Sequence, residues 1–320
     1  MTKLLPSRLC ACVLISFASL AVSSVTKAQT NDASVGSIDK KSEVQSIKSM
    51  TSSGTIFQTA KGLNNRNQAT VGSISNSDVL GGDNTTTIKL INQSTEGFNN
   101  TNDAAVGSAV NSKVGVLDGV TSVGSVIQFS EGASNTNLAT IGSVRNSRVG
   151  SKSGSTIVGS VYQASKGSGN VNEANIGSAV NSAVGALNSN VAVGSVRQTA
   201  AGAGNSNEIN IGSAKNAAVG SLNANVGVGS VTQTASGFAN DNKLLIGSVS
   251  GASVGSLNAN VNVGSVIQTS KGFGNENIVR IGSVDGAGGS HSANVAVSGN
   301  IVNVANGAGT VSEVNIGSKK

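Results

Sequence analysis

The stretch NVGVGSVTQTASGFANDNKLLIGS, residues 225–248, contains one glutamine, Gln233, in a segment otherwise typical of a buried β-strand. Burying a primary amide without a partner costs about 1–3 kcal/mol. The segment therefore predicts that the fold itself supplies a hydrogen-bond partner for Gln233.

The predicted partner is an equivalent amide in a neighbouring repeat, because a side-chain amide recurs every 35 residues on both sides of Gln233. Periods of 20–50 residues are typical of solenoids and repeat arrays. The glutamine column consists of Gln58, Gln93, Gln128, Gln163, Gln198, Gln233 and Gln268, and Asn303 holds the eighth position. If the repeats stack in register, each amide donates to one neighbouring copy and accepts from the other, so that a ladder satisfies every member.

Glycine and asparagine recur with the same period just after the glutamine. A glycine suits a bend that needs positive φ, and asparagine tolerates a left-handed backbone. The bend glycines are Gly62, Gly97, Gly132, Gly167, Gly202, Gly237, Gly272 and Gly307. The first asparagine column is Asn65, Asn100, Asn135, Asn170, Asn205, Asn240 and Asn275, and the second is Asn67, Asn102, Asn137, Asn172, Asn207, Asn242 and Asn277. We predict that both asparagine columns form ladders like that of the glutamines.

The repeats predict β-structure rather than helices. A β-branched residue recurs from Val71 to Ile316, Gly-Ser follows it in all eight copies, and no 3.6-residue apolar stripe occurs. Glycine is also too frequent for helix interiors. Each copy has three β-prone segments, for example 252–257, 260–270 and 278–284, with NAN joining the first two. We predict an all-β fold, a β-solenoid of eight stacked β-arch rungs that extends about 38 Å at 4.8 Å per rung.

The first 28 residues have the pattern of a secretory signal peptide, with Lys3 and Arg8 before an apolar run and small residues near Ala28. We predict a signal peptide at 1–28, an N-terminal segment with a partial first repeat at 29–50, and the solenoid domain at 51–320. Cys10 and Cys12 both lie in the signal, so the mature chain has no disulfides. Removal of the signal peptide lowers the net charge of the chain from +6 to about +3. This charge is too small to indicate a nucleic-acid-binding surface.

Residues suited to catalysis or cofactor binding are scarce. His291 is the one histidine of the chain, and its neighbours GAGGSHSANV predict a surface loop. No phosphate-binding loop or aspartate-rich calcium repeat is present. Phe98, Phe238 and Phe273 share a column after the bend glycine, where we expect them to pack within the arc. We predict that the protein is not an enzyme and has no cofactor, metal, nucleic acid or small-molecule substrate.

The segment VGSVRQTAAGAGNSNEINIGSA, residues 193–214, resembles the repeats of bacterial functional amyloids, namely the curlins and the Pseudomonas-type Fap fibre subunits. The resemblance extends over all eight copies. It implies secretion behind a signal peptide, passage through the periplasm of a Gram-negative bacterium, and export through a dedicated outer-membrane pore. It further implies polymerisation with a nucleator subunit into extracellular biofilm fibres built of stacked β-arches.

Together these observations predict a secreted structural protein whose main partner is a second copy of itself. The first alternative is a surface adhesin whose solenoid stays monomeric. The second is an ice-binding solenoid, which requires flat threonine arrays, and only Thr85, Thr86 and Thr87 suggest one.

Overall fold

A computed structural model describes residues 14–15, 20–22, 30–38, 43–44, 47–285 and 288–318 of the 320-residue chain. The chain winds about one axis in about eight turns, and the equivalent strands of successive turns form three parallel β-sheets. This arrangement confirms the predicted all-β solenoid. Most of the predicted signal peptide, 1–28, lies outside the described residues, and only two short strands within it are described.

Each full turn contains one long strand, one strand of six residues and one of two residues. In chain order the strands are β1 (Leu14–Ile15), β2 (Leu20–Val22), β3 (Thr30–Val35), β4 (Glu43–Val44), β5 (Ile47–Leu63), β6 (Arg66–Val71), β7 (Ile74–Ser75), β8 (Asp78–Phe98), β9 (Thr101–Val106), β10 (Ala109–Val110), β11 (Lys113–Ala133), β12 (Thr136–Ile141), β13 (Val144–Arg145), β14 (Arg148–Lys166), β15 (Val171–Ile176), β16 (Ala179–Val180), β17 (Ala183–Ala203), β18 (Ser206–Ile211), β19 (Ala214–Lys215), β20 (Ala218–Phe238), β21 (Asp241–Ile246), β22 (Val249–Ser250), β23 (Ser253–Phe273), β24 (Glu276–Ile281), β25 (Val284–Asp285), β26 (Gly288–Val297), β27 (Ile301–Asn306) and β28 (Val311–Ile316).

The long strands form the main sheet, the six-residue strands the return sheet and the two-residue strands the short sheet. Equivalent residues of successive copies are partners, as Gln128 and Gln163 are in the main sheet. Rungs are numbered 1 to 8 by the predicted glutamine column, so that rung 1 contains Gln58 and rung 8 contains Asn303. The offset is 35 residues almost throughout, because each rung repeats the same order of strands and turns.

The main strand is longer than the sequence predicted. In rung 5 a single strand, β17, includes both the segment equivalent to 252–257 and the glutamine segment, so the NAN-type link is itself part of a strand. Gly185 and Gly194 divide this strand by shifting the alternation of buried and exposed residues. A Cβ on either glycine would lie 2.3–2.4 Å from a carbonyl oxygen of the preceding rung. Glycine therefore lets the strand turn two corners without losing its backbone pairing.

The bend glycines lie where the main strand turns into the return strand. Their φ angles lie between 118° and 139°, a region that favours glycine. The stack imposes a second requirement, because a Cβ on Gly202 would lie 1.8 Å from the carbonyl oxygen of Gly167. The bend is thus fixed both by its own conformation and by the turn of the preceding rung.

The apolar core lies between the main and return sheets and is continuous along the axis. Its β-branched column from Val71 to Ile281 is fully buried. A neighbouring column holds Leu117, Leu187, Leu222 and Leu257, with Lys152 in the position of rung 4. Small β-branched side chains suit such a core because the rungs approach within one strand spacing.

Two sequence predictions about side chains are wrong. His291 lies in strand β26 rather than in a loop, opposite Leu257 in the leucine column. The phenylalanines after the bend glycine do not pack within the arc, since Phe98, Phe238 and Phe273 are 51%, 61% and 61% exposed. In both cases the direction of the side chain depends on how the backbone turns at that position, which the type of residue does not indicate.

Candidate functional site: the amide ladders

The glutamine column lies between the main and return sheets, and its side chains are buried. The Nε2 atom of each glutamine donates to Oε1 of the glutamine in the preceding rung, over 2.5–2.9 Å from Gln93 to Gln268. The structure thus brings all seven predicted glutamines into one continuous row. Each amide oxygen within the row accepts a hydrogen bond from the next rung, so the free-energy cost of burying an unpaired amide does not arise.

Each glutamine also joins the two sheets. Nε2 of Gln163 donates to the backbone oxygens of Asn137, at 3.1 Å, and Glu173, at 2.8 Å, both in the return sheet. Carbonyl oxygens only accept hydrogen bonds, so these contacts fix which end of the amide is nitrogen. The ladder therefore holds the main strand of one rung to the return strands of two rungs.

The second asparagine column forms a ladder of the opposite direction. Nδ2 of each asparagine donates to Oδ1 of the asparagine in the following rung, over 2.8–3.0 Å from Asn67 to Asn277. The same nitrogen donates to a main-strand carbonyl, as Asn137 does to Ala164 at 3.0 Å. The ladder begins one copy earlier than predicted, with Asn31 donating to Asn67. A spacing of 36 rather than 35 residues concealed Asn31 in the sequence.

The first asparagine column contacts backbone instead of forming the predicted amide-to-amide ladder. Oδ1 of Asn205 accepts from the backbone N–H of Asn170, and its Nδ2 donates to the carbonyl of the bend glycine Gly167. The same pattern holds Asn100, Asn135 and Asn170 to the preceding turn. Each of these side chains therefore holds the turn of the preceding rung through its backbone.

Two further rows of hydrogen bonds come from serines for which the sequence predicted no ladder. In the first row the backbone N–H of each serine after the β-branched column donates to the serine hydroxyl of the preceding rung. A second, shorter row runs in the other direction from Ser77 to Ser182. The invariant Gly-Ser pair was the available signal, because a hydroxyl fixed in every copy of a buried turn requires a partner.

Both amide ladders end at rung 8. Asn303 is one methylene shorter than glutamine, and it donates to the backbone oxygen of Glu313 at 3.0 Å. The Oε1 atom of Gln268 is consequently buried without a donor. Thr310 and Ser312 replace the two asparagines and bond only to backbone oxygens of their own rung. Rung 8 therefore still pairs with rung 7 through its backbone, with an interruption of the main strand at 298–300, but it lacks the amide ladders of the other rungs.

Charged residues lie mainly outside the ladders. Lys61 pairs with Glu96 and Lys166 with Glu131 across neighbouring rungs, all four side chains being largely exposed. Exposed pairs of this kind contribute at most about 1 kcal/mol each. Burial raises the pKa of Glu173, whose carboxylate accepts a hydrogen bond from Asn175. Burial likewise lowers the pKa of Lys152 to about 8, although nearby Asp118 opposes this shift.

Within the described residues, no group of three or more histidine, cysteine, aspartate or glutamate side chains is arranged to hold a metal ion. The same part of the chain contains no helix with the length and apolar character needed to span a membrane. Thr86, at the centre of the threonine triplet, is buried against the turn at Gly72. This triplet therefore presents no continuous threonine surface.

Comparison of the chain with models of known protein families, with curated proteins and with solved structures finds no match.

Proposed function

We propose that the protein is a secreted structural subunit that assembles end to end into extracellular amyloid-like fibres. The observation that carries the proposal is the self-complementarity of the rungs along the axis. Every rung meets the next through equivalent residues, in register, over three parallel sheets. A second copy of the chain presents the same columns, and unpaired strand edges are templates for such a copy.

The two ladders give the stack a direction. Within the repeats, the face toward the C-terminal rungs presents a glutamine oxygen and an asparagine N–H. The face toward the N-terminal rungs presents the complementary glutamine N–H and asparagine oxygen. Within the stack, opposite faces are therefore complementary and like faces are not. Rung 8 has lost these amides, so its in-register parallel backbone edge, rather than the ladders, supports head-to-tail addition with all chains parallel.

Rung 8 supports the same proposal through its exposed core residues. Ile316 continues the column of Ile281, yet Ile316 is 45% exposed whereas Ile281 is fully buried. Val314 is also exposed although its partner Val279 is buried. An edge that combines unpaired backbone with apolar side chains favours covering by another rung.

In this proposal the protein acts without catalysis or a cofactor, at the surface of a Gram-negative bacterium. The resemblance to functional amyloids adds passage through the periplasm, an outer-membrane export pore and a nucleator subunit as expected partners. Biofilm matrix formation and surface adhesion are the roles that such fibres would serve.

The test is to incubate purified protein without residues 1–28 and to follow thioflavin fluorescence, electron microscopy and fibre diffraction. We expect fibres with a 4.8 Å reflection along the fibre axis. A protein that stays monomeric for days at high concentration contradicts the proposal and supports the monomeric adhesin. Thermal hysteresis by that monomer would instead support the ice-binding alternative.

A paired variant tests whether rung 8 is the joint. Replacing Val314 and Ile316 together by lysine places two charges on the face that the next chain would cover. We expect at least tenfold slower elongation. Asn306→Lys is the matched control, because Lys271 already occupies the same exposed column in rung 7. Circular dichroism checks that both variants keep the stack, and equal elongation rates would contradict addition at this rung.

A further inference from the structure

The residue before each bend glycine varies from rung to rung, and in rung 8 it is an asparagine. The column consists of Lys61, Glu96, Glu131, Lys166, Ala201, Ser236, Lys271 and Asn306. Asn306 and Gly307 form the one Asn-Gly pair of the 320-residue sequence. Asparagine is chemically labile, and a glycine that follows it has no side chain to hinder attack of the glycine nitrogen on the amide. The last described rung therefore carries the pair of residues best suited to deamidation.

The backbone nitrogen of Gly307 lies at the open edge of the stack. In the interior, the N–H of a bend glycine donates to the rung that follows, as Gly167 does to the carbonyl oxygen of Ala201 at 2.8 Å. Among the described residues no rung follows rung 8, and none accepts from the N–H of Gly307. Strand β27 pairs with rung 7 alone, where Asn306 is the partner of Lys271. The peptide between Asn306 and Gly307 is therefore held on one side rather than on two.

The side chain of Asn306 is also free to reach this nitrogen. Asn306 is exposed, and within the described part of the chain its amide has no hydrogen-bond partner. Asn303 in the same strand differs in both respects, because its amide donates to the backbone oxygen of Glu313 and valine follows it. The electrophilic carbon and the attacking nitrogen are thus both unrestrained at Asn306 and Gly307.

We propose that Asn306 and Gly307 form a self-modification site, at which a free chain end deamidates and an end covered by another chain does not. In the reaction, the nitrogen of Gly307 attacks Cγ of Asn306 and a new N–C bond forms. The proton of that nitrogen passes to the side-chain nitrogen, which leaves as ammonia and completes a cyclic imide. Water then opens the imide at one of its two carbonyls, and the product is aspartate or isoaspartate.

The difference between free and covered ends rests on the end-to-end assembly proposed above. A following chain would supply the acceptor for the N–H of Gly307, as rung 5 does for Gly167. The peptide would then be held on both sides and could not turn toward the amide. Isoaspartate adds one methylene to the backbone, so a modified end no longer matches the edge of the next chain. Deamidation thus limits the time for which an uncovered end accepts another chain.

Peptide mass spectrometry, which follows the conversion of Asn306 over time, tests the proposal on protein without residues 1–28. One sample is kept dilute and monomeric, and the other is assembled into fibres. The incubation uses mildly alkaline pH, where the attacking nitrogen loses its proton more readily. We expect Asn306 to convert at least tenfold faster in the monomer than in the fibres. Equal rates in the two samples would overturn protection by a following chain.

Ser236→Asn is the matched control, because it places an asparagine before the bend glycine in the same column of rung 6. Gly237 pairs with Gly202 on one side and with Gly272 on the other, so its peptide is held even in the monomer. We expect the asparagine introduced at position 236 to convert at least tenfold more slowly than Asn306 in the same molecule. Circular dichroism checks that the variant keeps the stack. Equal rates at the two positions would overturn the modification site and leave end-to-end assembly intact.

Elongation measurements test the consequence for free ends. Protein aged as monomer until Asn306 has converted should support elongation several-fold more slowly than fresh protein. Asn306→Ser cannot form the cyclic imide and should keep its rate after the same ageing. Unchanged elongation by the converted protein would overturn the limit on free ends. A complete absence of fibres would contradict the proposed function, and the comparison of positions 236 and 306 in the monomer would still decide on the modification site.

Discussion

Rung 5 in the middle of the stack and rung 8 at its described end are equivalent copies, but rung 8 interrupts the main strand at 298–300 and leaves more of its side chains exposed. Gln198 in rung 5 donates to the neighbouring glutamine and to two backbone oxygens, whereas Asn303 in rung 8 bonds to one backbone oxygen. Ile211 is buried, and its equivalent Ile316 is not. A residue column is thus stabilised by its neighbours on both sides, as expected of nearest-neighbour repeat proteins.

The largest effect is expected from breaking a bend in the middle. Gly202→Ala places a Cβ 1.8 Å from the carbonyl oxygen of Gly167, so the backbone of one rung has to move. We expect a loss of about 3–5 kcal/mol in the free energy of unfolding, measured by chemical denaturation of the monomer.

The control lies two residues away in the same turn. Gly204 also has positive φ, at 63°, but an added Cβ meets nothing within 4 Å. Gly204→Ala should cost only about 1–2 kcal/mol. Equal losses in the two variants would show that conformation alone, and not the contact between rungs, requires the bend glycine.

The next effect comes from interrupting the ladder. Gln163→Leu removes the donor to Oε1 of Gln128 and to two backbone oxygens, all within the stack. We expect a loss of about 2–4 kcal/mol, because buried acceptors are left without partners. Asn303→Leu, in the last rung, should cost less than about 1 kcal/mol. Denaturation of both variants compares the regions directly, and equal losses would contradict a role for the ladder.

Lys152 places a charged side chain in the apolar core of the middle rungs, at a position that leucine holds in rungs 3, 5, 6 and 7. Its folded pKa of about 8 lies below the usual 10.5, so the unfolded state binds more protons between these values. Stability should therefore rise as pH increases from 8 to 10.5. Lys152→Leu should remove this dependence and add up to about 3 kcal/mol at pH 7. A stability curve that is flat across this pH range in the wild type would contradict the burial of the amine.

His291→Leu should make rung 8 more like the rest of the stack. Both ring nitrogens of His291 are buried without a partner, although the residue lies in the leucine column. We expect the variant to stabilise this rung by about 1–2 kcal/mol. Hydrogen exchange should then slow in residues 288–318 and stay unchanged in rungs 1 to 6. Unchanged exchange in rung 8 would contradict the inward placement of the ring.

The smallest effect is expected from lengthening one side chain in the last rung. Asn303→Gln supplies the missing donor to Oε1 of Gln268 and should add about 1 kcal/mol. Asn303→Asp is the control, because it retains the shorter length and provides no amide donor. Exchange of the amides around Gln268 and Asn303 measures the difference, and equal protection in the two variants would show that the ladder already ends without cost.

The period and the glutamine column predicted the solenoid, because a buried amide that recurs at constant spacing has few other partners. The sequence did not predict the direction of each ladder or the backbone contacts of the first asparagine column, since both depend on distances within the turn. His291 was misplaced because one residue is lost before it. Asn260 pairs with Asn294, only 34 positions later, and aligning NAN at 258–260 with SAN at 292–294 would have revealed the shift.

The loss of both amide rows at Asn303 and Ser312 has a mechanical consequence for a filament of such chains. The amide ladders would hold rungs 1 to 7 of each chain together. Rung 8 would be held to the next chain by backbone hydrogen bonds and apolar contacts alone. Under shear, the filament would therefore break between chains rather than within them, because the contacts between chains lack the amide ladders. Every fragment would then carry intact tips, from which elongation could resume.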